Sequence, residues 1–185
     1  MSNAILIAGN SSRFLDTVRD FRSYLINEQL ITPRKIRILP TAYIAEEMFH
    51  YHISSAITAK TNKPLLILFC GHGNNLDWGL DDARIFTYFH LAKILLSGRR
   101  PVTILNDCCD TMSIKTELET NSVSPKRLSL IAAAESGEGA SGGHLVGFAL
   151  NSWRHRRPIR LGPELCWGEK FDHHYYSRIN PSQQI

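Results

Sequence analysis

The sequence predicts an α/β domain with a doubly wound, mostly parallel sheet and helices on both faces. Three observations carry that expectation. Five short apolar runs alternate with stretches of helical periodicity. The runs are continuously apolar, as in strands covered on both sides, and do not alternate with polar residues. Glycine, asparagine or aspartate closes most of them, marking one rim where turns and functional loops gather.

The elements follow in order. Residues 3–8 (NAILIA) read as a buried strand with Gly9 and Asn10 turning the chain. Ser11 or Ser12 can cap the next helix, where Phe14, Val18, Phe21, Tyr24 and Leu25 recur at helical spacing to about Leu30. Residues 36–39 (IRIL) form a second strand, stopped by Pro40, and a helix spans residues 43–60. Residues 64–70 (PLLILFC) form a third strand that ends in Gly71-His72-Gly73. Residues 74–80 read as a loop, and Asp81 or Asp82 starts a helix reaching Ser97. The fourth strand, 101–105 (PVTIL), runs into Asn106-Asp107-Cys108-Cys109-Asp110. A polar segment to Lys126, a fifth strand at 128–134, a small-residue loop at 135–143 and an apolar helix at 145–153 complete the pattern. Two regions follow from it: a domain over residues 1–154 and a C-terminal extension, 155–185, packed on it.

Composition narrows the function classes. The chain has 185 residues with 43% hydrophobic and 21% charged, which fits one globular domain and excludes wholesale disorder. No apolar run approaches the ~18 residues that cross a bilayer, and the first ten residues lack a signal-peptide pattern. A cytoplasmic protein with no membrane partner is expected. The net charge of +4 is too mild to point to nucleic acid, although Arg154, His155, Arg156, Arg157 and Arg160 cluster near the end. Four cysteines without a CxxC pair suggest reduced thiols and no zinc framework.

The rim carries the candidate chemistry. His72 sits between two glycines after one strand, and Cys109 follows another. A thiol needs a neighbouring imidazole to become a nucleophilic thiolate, and the same imidazole can protonate a leaving amine. Backbone N–H groups beside the sulfur, those of Gly73 and Cys109, would stabilise an oxyanion. Taken singly, His72 could merely close a strand and Cys109 could be an inert apolar residue. Their placement on one rim favours the catalytic reading.

The ordered set, strand, Gly-His-Gly, helix, strand, Asp-Cys-Cys, resembles the caspase-like cysteine peptidases, and within them the metacaspases and paracaspases. Residues 66–73 (LILFCGHG) resemble the strand that delivers that family's catalytic histidine, and residues 104–109 (ILNDCC) the strand that delivers its cysteine. The likeness spans residues 3–153. It implies a caspase-like three-layer sandwich and a cysteine endopeptidase with His72 and Cys109 as its dyad. Asp107 matches the acid that receives a basic P1 side chain, and Arg13 lies where caspases place an arginine that selects aspartate. The basic P1 preference is the expected one. Asp110, Thr111 and Met112 depart from the metacaspase His-Ser-Gly. The segment 111–126, with Lys115, Lys126 and the adjoining Arg127, lies where many relatives are cut to mature. No cofactor or metal is implied, and no dense acidic cluster suggests the calcium that some metacaspases use. The expected partner is a protein or peptide substrate, with a dedicated partner protein to deliver it. The alternatives are an inactive caspase-fold interaction module and a flavodoxin-like small-molecule binder. Neither GxGxxG nor a Walker A sequence supports the latter.

Overall fold

Strand by strand, successive side chains part to opposite faces of one sheet. Ile5, Ile7, Leu65, Ile67 and Ile104 point into one apolar layer, while Ala4, Leu6, Leu66, Leu68 and Leu105 point into the other. The computed structural model describes residues 3–29, 31–135, 137–157, 159 and 161–168.

The strands of the main sheet are β1 (Ala4–Ala8), β2 (Ile36–Pro40), β3 (Leu65–Cys70), β7 (Val102–Asp107), β8 (Leu128–Ala132) and β9 (Cys166–Gly168). Their spatial order is β2-β1-β3-β7-β8-β9. All pairings are parallel except β8 with β9. The first face is covered by α2 (Glu46–Ile57), α3 (Tyr88–Ser97) and α4 (Ser113–Thr120), through residues such as Phe49, Ile53, Leu91 and Leu118. The second is covered by α1 (Ser12–Asn27) and α5 (His144–Arg154), through Phe14, Val18, Phe21, Leu145 and Trp153. This is the doubly wound, three-layer α/β architecture. The chain leaves β1 for β2 on one side and returns to β3 on the other. The carboxyl ends of β1 and β3 therefore flank the crevice where such sheets place their sites.

Three parts differ from the sequence expectation. The loop at 74–80 and the start of the next helix are instead a small antiparallel sheet of β4 (His72–Gly73), β5 (Asp77–Gly79) and β6 (Ile85–Thr87). The Asn74 side chain accepts from the N–H groups of Leu76 and Asp77 and turns the chain between β4 and β5. Asp81 accepts from the N–H groups of Ala83 and Arg84 and makes the next turn. Thr87, not Asp81 or Asp82, caps α3 by accepting from the His90 N–H. The polar segment after Cys109 contains α4, which buries only Ser113, Ile114 and Leu118 and so leaves a weak apolar signature. Within the 155–185 extension, β9 joins the sheet edge, while 169–185 lie outside the described residues.

Arg100 ties the amino ends of the strands together. It is fully buried and donates to the carbonyls of Ala56, Lys63 and Pro64 at 2.9, 2.9 and 3.1 Å. Each acceptor left without a partner costs about 1–3 kcal/mol. Arg100→Ala should therefore lower the urea unfolding free energy by about 3 kcal/mol. Arg100→Lys should fail to restore it, because an ammonium cannot serve three carbonyls from a planar fork. A lysine variant as stable as the parent would contradict this role.

Candidate functional site

Glycines set the spacing at the rim. A Cβ on Gly9 would lie 2.9 Å from the Gly71 Cα, so the turns after β1 and β3 meet at backbone distance. A Cβ on Gly73 would lie 2.5 Å from the Cys108 Sγ and 3.3 Å from the Cys109 carbonyl oxygen. The histidine strand tip is thereby pressed against the turn that contains Cys108 and Cys109. The His72 ring is exposed and packs edge-on against Phe14 of α1, with centroids 5.1 Å apart. Among the described residues its imidazole makes no hydrogen bond and remains available.

The cysteine turn is fixed from below by a buried polar relay that the sequence did not reveal. Asn106 accepts from the Trp78 indole N–H at 2.7 Å and donates to the Thr111 carbonyl at 3.1 Å. The Thr111 hydroxyl donates to the Ala134 carbonyl at 2.8 Å, and the Ala134 N–H donates to that hydroxyl at 2.9 Å. Trp78 stacks on Phe69, centroids 4.8 Å apart, so the small sheet holds the relay in place. Among the described residues the Cys109 amide N–H has no hydrogen-bond partner.

The two adjacent cysteines separate. Cys108 is buried, and burial raises its thiol well above the usual range, as expected of a packing residue. Cys109 is half-buried beneath the loop 137–143. Its Sγ faces both the N–H of Ala140, at 3.4 Å, and the Ala140 carbonyl, at 3.8 Å. Cys109 and His72 are not hydrogen-bonded to each other in this arrangement. Catalytic hydrogen bonds are often long without substrate and tighten when it binds.

Asp110 holds that loop. Its backbone is left-handed at φ 52°, which aspartate tolerates better than most residues. Its N–H donates to the Glu138 carbonyl at 2.8 Å, and its Oδ1 accepts from the Gly137 N–H at 2.6 Å and the Ser113 hydroxyl at 2.7 Å. The carboxylate that departs from the metacaspase pattern thus has a structural task.

Asp107 and Arg13 stand apart from each other. Asp107 is fully buried at the end of β7, and its Oδ2 accepts from the Val146 N–H at 3.1 Å. It caps α5 from the neighbouring strand, since Gly143 at that helix start has no side chain to do so. Burial pushes the carboxyl above the usual range, against the opposing pull of the Val146, Leu145 and Gly143 N–H groups and His144. Among the described residues its Oδ1 has no hydrogen-bond partner. Arg13 is exposed and donates to the Gly142 carbonyl at 3.3 Å. No Arg13–Asp107 ion pair forms among the described residues. Both charges act on Cys70: burial first, then Asp107, push its thiol up to about 12, while Arg13 pulls the other way.

A small cavity of about 130 Å³ lies beside this rim, lined by Gly9, Asn10, Ser11, Ser12 and Tyr43 among others.

No family model matches the chain, and no curated protein matches it. Among solved structures it is similar to the crystal structure of Raptor from Chaetomium thermophilum, with a TM-score of 0.55 and 12% sequence identity. The likeness is one of fold. It covers 83% of this chain and 18% of that one.

Two outcomes test the geometry. Because the folded state raises the Asp107 pKa, its favourable contribution is complete below the unfolded carboxyl value, ~4. That contribution is lost as pH rises through the elevated folded value. Asp107→Asn keeps an acceptor for Val146, so melting temperatures from pH 4 to 7 should fall less with rising pH than in the parent. Identical slopes would contradict the assignment. Asp110→Ala should release the loop and speed iodoacetamide labelling of Cys109 several-fold, read by intact mass, and an unchanged rate would remove the loop-holding role.

Proposed function

We propose that the chain is a caspase-like cysteine endopeptidase. The observation that carries this reading is the contact at Gly73, which sets an unencumbered histidine strand tip against the turn that bears Cys109. Cys109 is the nucleophile and His72 the general base and acid. His72 removes the thiol proton, the thiolate attacks the scissile carbonyl, and the Cys109 and Gly73 amides receive the developing oxyanion. His72 then protonates the leaving amine. Water, deprotonated by the same imidazole, hydrolyses the acyl-enzyme.

Substrate must displace Ala140 from the sulfur before attack. The loop therefore gates the nucleophile, and Asp110 sets how firmly. Asp107, an acid with one unpartnered oxygen beneath the N-terminus of α5, supports a basic side chain at P1. Maturation by cutting at Lys115 is disfavoured, because that residue lies in α4 and not in extended chain. The substrate is a protein or peptide.

Fluorogenic peptides with Arg, Lys or Asp at P1 test the proposal under reducing conditions, with and without calcium. Turnover of the basic peptides is expected, with Cys109→Ala and His72→Ala each at least ~100-fold slower, the lower bound for a lost general base. Turnover of none of the peptides would leave the inactive interaction module as the better reading. Turnover unaffected by either substitution would place the chemistry elsewhere.

A further inference from the structure

The end of the sheet opposite this rim carries a different pattern. Each of the inner and edge strands β2, β3, β7 and β8 is entered through basic residues: Arg34-Lys35, Lys63, Arg99-Arg100 and Lys126-Arg127. The linkers that hold them, 28–35, 58–64, 98–101 and 121–127, contain one acidic residue, Glu28, which pairs with Arg154 at 3.0 Å. Other acidic residues gather at the far end, among them Glu46, Glu47, Asp81, Asp82 and Glu135. Glu117 and Glu119, at the end of α4, are exceptions, and both are engaged, Glu119 by Lys115 and the Trp167 indole and Glu117 by Asn121. The mild net charge of +4 therefore averages an acidic rim with a strongly basic base.

Helix dipoles do not account for this segregation. A macrodipole acts on charges within the last helical turn. The last turns of α1, α2, α3 and α4 contain no basic residue, and the cations lie beyond them. Nor are they all spent on the fold. Arg100 and Arg127 are, donating to linker carbonyls, and they make the surface rigid. Arg34, Lys60, Lys63, Arg99 and Lys126 stay exposed, and Lys35 is half-buried.

We propose that this face binds the phosphate backbone of a nucleic-acid duplex, independently of sequence. The cations follow the row of strands, which at ~4.8 Å per strand runs ~19 Å from β2 to β8. That length faces about five base pairs at ~3.4 Å per step. A protein interface of this size would centre on apolar and aromatic residues with few charges. Of the large exposed apolar residues among those described, Tyr43, Met48, Leu76, Ile85 and Phe89 lie away from these linkers, Leu96 lies at the end of α3 just before one of them, and Tyr51 shares a groove with Arg34. Among the described residues Tyr51 is the one exposed aromatic beside these cations, and a single ring does not make the row of platforms on which successive single-stranded bases stack. A row of cations with only two separate apolar side chains at its margin suits a phosphate backbone.

The test is fluorescence anisotropy of the full chain with a labelled 20-base-pair DNA duplex over a salt series, beside Lys63→Gln/Arg99→Gln/Lys126→Gln. Binding should weaken steeply with salt, with a log–log slope near −4 for four to five neutralised phosphates. The triple variant should bind at least 10-fold more weakly and lose about 2–3 units of slope. Scrambling the duplex sequence should change nothing. Circular dichroism of the variant checks that it folds, and Lys63→Glu alone offers a milder perturbation of the same face. Absence of binding at 50 mM salt would overturn the proposal, as would equal binding by parent and variants. Competition by a polyglutamate peptide at the same charge concentration as effective as duplex would also overturn it, assigning the face to an acidic protein.

Discussion

Backbone packing at Gly73 is the constraint on which the site depends. Any side chain there would occupy the volume of the Cys108 sulfur, so the strand tip that carries His72 can approach the cysteine turn only through glycine. The approach is firm because both partners are held from within the core. Trp78, stacked on Phe69, fixes the small sheet that contains Gly73, and its indole holds Asn106 at the end of β7. One aromatic side chain thus positions the histidine and the cysteine turns together. Burying this polar relay is tolerable because its donors and acceptors serve one another.

The parallel strands were legible because burial on both faces leaves no polar alternation to confuse them, as in LLILFC of β3. The rim followed from strand direction alone, and with it the placement of His72, Gly73, Asp107 and Cys109 at the carboxyl ends of β3 and β7. Other features were hidden for physical reasons. The small sheet has strands of two or three residues, too short for a period. Helix α4 carries two buried aliphatic side chains, Ile114 and Leu118, within a polar octet. The capping of α5 by Asp107 is a contact across 39 positions, which no local pattern encodes. Charge segregation was hidden because net charge is a sum, whereas the fold sorts strand entries from strand exits.

Asp110 illustrates how one substitution reads differently in sequence and in space. Beside a nucleophile it looks like an electrostatic fault, since a carboxylate facing the sulfur would oppose the thiolate. In the fold its oxygen is engaged by Gly137 and Ser113, and it secures the loop whose Ala140 meets the Cys109 sulfur. The proposed peptidase and the proposed phosphate-binding face then occupy opposite ends of the same strands. Occupation of one leaves the other open to a second macromolecule.

The most direct measure of the central claim is the pH profile of Cys109 alkylation, followed by mass spectrometry of the labelled peptide. If His72 and Cys109 act as a pair, alkylation at neutral pH should be several-fold faster in the parent than in His72→Ala. The same profile in parent and variant would contradict the account.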